Sequence, residues 1–276
     1  VSPLPAAPSS PRRGPALVAV WLALAALAAC GGSGGGAGNA GSGNAGNAGT
    51  GNAGNAGTGN TGNTGGSPAV IACDEPPTVH TGEATYYDFA DGSGACGFAP
   101  SPGDLRVAAI NAPQWAGSAM CGACARVTGP DGELTVRIVD LCPECAPGDL
   151  DLSPSAFAEL APLEAGRVDV SWHVVPCEVT GNVVYHFKEG SNPWWMAIQL
   201  RNHSNPVAEV LAEKEGELVP LTRADYNFFL DEAGLGEGPY HLVVRDVLGQ
   251  ELSDLAVPFV EGGEVPGGGQ FPVCGE

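Results

Sequence analysis

The chain has 276 residues, with 31 aspartates and glutamates against 11 lysines and arginines and a formal net charge of −20. That balance excludes nucleic acid as a partner, because phosphate binding needs clustered cations. It also sets the chain against acidic polysaccharides such as pectate, and neutral polymers match it better.

Residues 1–29 read as a secretory signal: Arg12-Arg13, then an apolar run from Ala16 to Ala29 with small residues at its end. The run is about 14 residues, shorter than the ~20 a transmembrane helix needs. Its ending, Leu27-Ala28-Ala29-Cys30, resembles a bacterial lipobox, which implies cleavage before Cys30 and a lipid on its sulfur. An ordinary signal with a chance cysteine is the alternative. Export is expected either way, with the chain lipid-anchored at a bacterial surface or outer membrane, or secreted. Gly31 after the cysteine is compatible with outer-membrane sorting. Residues 30–67 continue as an uncharged Gly/Asn/Ala/Thr tether that cannot bury enough apolar surface to fold.

Residues 68–178 carry short β-prone runs at Ala84–Phe89, Leu105–Ile110, Ala123–Val127, Leu134–Val139 and Val168–Val174. Gly129-Pro130-Asp131-Gly132 predicts a hairpin turn. Ser153–Leu160 is the one expected helix, with Ser153 as N-cap and Pro154 in the first turn. A small closed barrel follows from this pattern. Residues 179–262 carry seven further runs: Val183–Lys188, Trp195–Arg201, Val207–Lys214, Glu217–Leu221, Tyr226–Leu230, Tyr240–Asp246 and Leu255–Val260. They predict an immunoglobulin-like β-sandwich. Residues 263–276 read as a tail. The fold class is all-β. Only Glu178–Thr180 joins the two domains, so they are expected to pack closely and share a surface.

With Cys30 set aside for lipid, eight cysteines remain in an exported chain, which suggests four disulfides. Cys142-Pro-Glu-Cys145 reads as a local disulfide. With Cys121-Gly-Ala-Cys124 it could also form a redox or zinc site, but export favours oxidised thiols. No metal or other cofactor is expected.

Asp151, between Leu150 and Leu152, is a candidate general acid, since apolar neighbours raise a carboxyl pKa. Asp140 could share or orient its proton. The plainer reading makes Asp151 a turn or cap residue. Trp194-Trp195 and Tyr226 read as a row for stacking on sugar rings, with Lys188 at its edge. Neighbouring strand residues point to opposite faces, so both tryptophans serve only if one lies in a loop or bulge. A core tryptophan and a solvated lysine are the alternatives. Trp115 and Trp172 read as packing residues.

Gly82-Glu-Ala-Thr85-Tyr-Tyr87, Gly94-Ala-Cys-Gly-Phe98, Cys121-Gly-Ala-Cys124, Asp140 and Asp151-Leu-Ser-Pro-Ser-Ala-Phe157 resemble the first domain of expansins. That domain is a six-stranded double-psi β-barrel similar to glycoside hydrolase family 45. Lys188-Glu-Gly-Ser191, Trp194-Trp195, Gln199-Leu-Arg-Asn-His203 and Asp225-Tyr-Asn-Phe228 resemble the cellulose-binding domain of bacterial expansins. The resemblance implies that Asp151 is essential, with Thr85 and Asp140 lining the same groove. Cys142 stands where bacterial expansins commonly carry an aromatic residue, so Tyr87 or Tyr86 is the substitute sugar contact. The resemblance also implies the pairs Cys96–Cys121 and Cys124–Cys177, leaving Cys142–Cys145 and Cys73–Cys274 as the other two.

It further implies non-hydrolytic loosening of cellulose-containing walls by a monomer, with cellulose and other neutral β-glucans as partners and membrane contact through lipid alone. One rival is a family 45-like endoglucanase with Asp88, in the run Tyr86-Tyr87-Asp88, as base. Others are a peptidoglycan lytic transglycosylase and a binding module without remodelling.

Overall fold

The computed structural model describes residues 76–88 and 90–273. Cys30, Cys73 and Cys274, with the expected signal, lipobox and tether, lie outside the described residues.

Six strands close the first domain: β1 (His80–Tyr86), β2 (Val107–Asn111), β3 (Cys124–Gly129), β4 (Gly132–Cys142), β5 (Leu150–Leu152) and β6 (Val168–Val175). They run β1-β5-β2-β4-β3-β6 around a double-psi barrel. β1 is parallel to β5, and β2 to β4, while the other neighbours are antiparallel. Gly129 pairs with Gly132 across the expected two-residue turn. Ala84, Ala108, Ile110, Val136, Ile138, Leu150 and Leu152 fill the interior, each fully buried. Alternation along the same strands sends their neighbours outward.

Helix α1 (Ala112–Trp115) is a single turn that periodicity does not announce; the Asn111 side chain caps it, and Trp115 is buried. Helix α2 (Pro154–Leu160) forms as expected. Ser153 Oγ accepts from the backbone N–H of Ala156 at 3.1 Å. Its hydroxyl donates in turn to the carbonyl of Leu105.

Nine strands in two sheets make the second domain: β7 (Val184–Phe187), β8 (Met196–Arg201), β9 (Val207–Lys214), β10 (Glu217–Pro220), β11 (Thr222–Arg223), β12 (Phe229–Asp231), β13 (Tyr240–Asp246), β14 (Glu251–Val257) and β15 (Glu264–Pro266). The sheets run β10-β9-β13-β14 and β11-β12-β8-β7-β15. Tyr185, Phe187, Met196, Ile198, Phe229 and Leu242 pack between them. The expected tail does not hold. Its residues 264–266 pair with β7, and Phe271 is buried in the sandwich core. Three residues flanked by glycines are too few for strand alternation to show. The run Tyr226–Leu230 is strand only from Phe229, because Asn227 takes a left-handed turn with φ 64°.

The structure forms Cys96–Cys121, Cys124–Cys177 and Cys142–Cys145. Both C-x-x-C pairs are thus oxidised and offer no thiolate to zinc.

The two domains share a polar seam. Gln199 Nε2 and Asn227 Nδ2 donate to the Cys96 carbonyl at 2.8 and 3.1 Å. Ser118 Oγ donates to Ala224 O at 2.8 Å, and the Cys177 N–H donates to Ser204 O at 2.7 Å. The His203 ring presses so closely on Gly122 that a Cβ there would lie 2.7 Å from it.

Candidate functional site

Strand register lines up the first part of the site. Thr85 on β1 pairs with Asp151 on β5, Asp151 with Ala109 on β2, and Ala109 with Asp140 on β4. These four residues form one row across four adjacent strands. Ala109 separates the aspartates, so they stand two strand spacings, roughly 10 Å, apart at the backbone. A register shift between Ala108 and Ala109 brings Asp140 into the row, because Val139 is an extra residue on β4.

Asp151 is half-buried between two fully buried leucines. Desolvation raises its pKa and outweighs the hydrogen bond from Thr85 Oγ1, 2.6 Å away, and the more weakly opposing Arg167 charge; Asp140 and Glu144 push the same way as burial. A carboxyl held this way keeps its proton to higher pH than a free one, as a proton donor toward a glycosidic oxygen must. Asp140 Oδ1 instead accepts the N–H groups of Ala95 and Leu141 at 2.7 and 2.8 Å. It reaches Asp151 as a charge, and among the described residues no hydrogen bond joins the two carboxyls. Asp151 does not cap α2; Ser153 does.

Tyr87 packs on Val107 and Val139, where burial and the charges of Asp140, Asp151 and Asp91 raise its pKa. Its hydroxyl is covered and without a hydrogen-bond partner among the described residues. A sugar can therefore meet the Tyr87 ring but not its oxygen in this arrangement. Tyr86 points away from the row: its ring lies 5.0 Å from Phe157, and its hydroxyl bonds Leu163 O at 3.3 Å. Asp88 is exposed in the turn after β1, with no hydrogen bond or ion pair among the described residues.

A short loop carries the row to the second domain. Gly94 lies against Asp140, where a Cβ would meet the carboxyl carbon at 2.5 Å, and Ala95 is bound by that carboxylate. The next carbonyl, of Cys96, receives Gln199 and Asn227. Gln199 is on the outer face of β8, since Ile198 and Leu200 face the core. Trp195 immediately precedes this strand, bridged to Asn192, and is half-buried.

Trp194 occupies the turn just before β8, with 78% of its surface exposed. Its N–H donates to Asn192 Oδ1 at 3.0 Å, and Asn192 and Trp195 exchange backbone bonds around it. The loop condition for two useful tryptophans is met, and neither ring enters the sandwich core. Tyr226 is 40% exposed with its ring 5.8 Å from Phe228, and Lys188 Nζ lies 5.9 Å over that same ring. Sequence reasoning missed Phe228, Gln199 and Asn227 as the supports that tie this face to the acid row. The outward period of β8 could have identified Gln199. The bonds of Asn227 depend on a turn that no pattern announces.

A closed six-stranded barrel with an acid row is thus joined to a two-sheet sandwich that carries the exposed Trp194 and Tyr226. The family model described as lytic transglycolase matches residues 79–172, the barrel. Expansin-YoaJ of Bacillus subtilis (strain 168) is 38% identical over 203 residues, covering 70% of this chain and 87% of that protein. The crystal structure of apo Clavibacter michiganensis expansin superposes with a TM-score of 0.67 at 30% identity, over 71% of this chain and all of that one. A mutant of the Clavibacter expansin in complex with cellohexaose matches equally, with a TM-score of 0.67 at 30% identity. The chain belongs to the expansin family.

Proposed function

We propose that this protein binds cellulose and related neutral β-glucans across both domains and loosens contacts between chains without cleaving them. One observation carries the reading: the Thr85–Asp151–Ala109–Asp140 row is bonded, through Ala95 and Cys96, to Gln199 on β8, the strand that Trp194 and Trp195 lead into. The cellohexaose complex of the Clavibacter relative supports the ligand class. In this reading Trp194, Trp195 and Tyr226 stack on sugar rings, Lys188 contacts hydroxyls at the edge, and Asp151 acts in the barrel groove beside Thr85 and Asp140. The protein works outside the cell as a monomer, either secreted or held by lipid on Cys30.

An inverting hydrolase needs a second carboxylate across the scissile bond, roughly 6.5–9.5 Å from the acid. The exposed turn position of Asp88, without a hydrogen bond or ion pair among the described residues, supports the non-lytic reading. The test scores creep of cellulosic paper and reducing ends together, for wild type and Asp151→Asn. Creep without sugar in the wild type, and neither in the variant, is the expected result. Sugar release from soluble β-glucan, lost in Asp88→Asn, would establish the endoglucanase instead.

The family-model match to the barrel favours peptidoglycan as a second substrate. Release of anhydro-muropeptides from purified sacculi would establish it.

A further inference from the structure

Between barrel and sandwich lies a cavity of about 700 Å³ that shares no lining residue with the Asp151 row or the aromatic face. Its size falls within the ~300–1,000 Å³ of small-molecule sites. Four arginines line it, Arg106, Arg126, Arg137 and Arg201, in a chain with only 11 lysines and arginines. Three carboxylates, Asp104, Glu178 and Glu264, share the lining, and Glu159 beside it binds Arg106.

The arginines are not equally engaged. Arg201 is held by Glu264 at 2.5 Å, and Arg106 grips Glu159 through two bonds of 2.9 and 2.7 Å. Arg137 has weaker partners. It bonds Ser101 Oγ at 3.0 Å, lies 3.9 Å from the Asp104 carboxylate, and keeps a covered Nε without a partner among the described residues. Arg126 has neither a side-chain hydrogen bond nor an ion pair among the described residues. Register sets these last two on one face: Arg126 pairs with Thr135, and Thr135 is two residues from Arg137 on β4. The barrel thus offers two under-used guanidinium groups with a hydroxyl between them. Phe98 adds an aromatic face with Arg137 5.7 Å over its ring, and Asn202 and Thr180 bring polar groups from the sandwich side.

A guanidinium fork fits a carboxylate, hydroxyl and amide groups fit sugar hydroxyls, and an aromatic ring fits the C–H face of a pyranose. Arg126, without a carboxylate partner among the described residues, and the loosely held Arg137 leave room for one carboxylate. The formal charge of −20 disfavours a long polyanion but does not stop one acidic sugar at a chain end or on a side branch. We propose that this cavity binds a hexuronic acid residue through Arg126 and Arg137, as a site separate from the glucan surface. It does not depend on the cellulose reading.

The experiment titrates the intact protein with D-glucuronate and D-galacturonate, with D-glucose and inorganic phosphate as comparison arms, by calorimetry or amide shifts. Saturable uronate binding at millimolar concentration or tighter, with none for glucose, is expected. Arg126→Gln, at an exposed position, should weaken it about tenfold while cellohexaose binding stays unchanged. Arg137→Lys should weaken it as well, because an ammonium cannot reproduce the fork. Equal response to glucose and glucuronate, tighter binding of phosphate than of uronate, or wild-type uronate affinity in Arg126→Gln would each overturn the proposal.

Discussion

Asp151 holds its place because two buried leucines clamp β5 while Thr85 donates to its carboxylate. Thr85 pulls the pKa down and burial pushes it up, with burial the larger effect. Replacing Thr85 with valine removes only the opposing effect. The Asp151 carboxyl should then titrate at still higher pH, read from its carbon shift by NMR; an unchanged midpoint would show that the hydrogen bond does not act on the charged form. Linkage has a definite sign here. A carboxyl whose folded pKa lies above its unfolded value contributes stability at low pH and loses it as pH rises through the folded pKa. Asp151→Asn should therefore melt above the wild type at neutral pH, and the gap should close on acidification below the carboxyl's titration. On the proposed glucan surface, Trp195→Ala removes a ring proposed to cover sugar through apolar contact. About tenfold weaker cellulose binding is expected from depletion isotherms, in line with loss of part of a ring's buried area.

At the scale of elements, the turn Asn192–Trp195 is fixed by what lies behind it. Gly234 has φ +74°, and a Cβ there would fall 2.1 Å from the Pro193 carbonyl and 2.4 Å from Trp194 Cα. Gly234→Ala should displace Trp194 and lower cellulose binding while leaving the barrel disulfides and fold intact, measured by pull-down and circular dichroism. Most elements were legible in the sequence as runs rich in apolar and β-branched residues over five or more positions, as in β9 and β13, with apolar–polar alternation clear in β6. β5 and β15 were not, since three residues carry no period, and β5 happens to hold Asp151. The strand identity of the acid therefore came only from the register. The Ser153 cap and the Gly129–Gly132 turn were legible because each uses side chains or backbone freedom that few residues supply.

At the scale of the molecule, the seam between domains combines hydrogen bonds to backbone carbonyls with one half-buried guanidinium and one buried neutral imidazole. Arg223 has no carboxylate bonded to it among the described residues, and desolvation lowers its pKa to about 10, while His203, pressed on Gly122, is lowered by burial to about 4. A histidine with a depressed folded pKa contributes stability when neutral, and the folded state loses it as pH falls from the unfolded value of 6.5 toward 4. The loss is on the order of 3 kcal/mol by pKa arithmetic. His203→Asn should flatten that part of the stability–pH curve in urea unfolding, whatever it does to stability at neutral pH. The three-residue joint predicted close domains, but the path that connects them runs through Gly94–Cys96, a loop whose role depends on contacts more than 40 residues away in sequence. Those long-range bonds tie the acid row to the seam with the second domain, and the proposed single surface rests on them. The most direct test is a cellohexaose titration followed by NMR. The amides of Thr85 and Ala95 and the indoles of Trp194 and Trp195 should shift together along one binding curve. Shifts confined to the sandwich, with the barrel groove silent at saturation, would contradict the single surface.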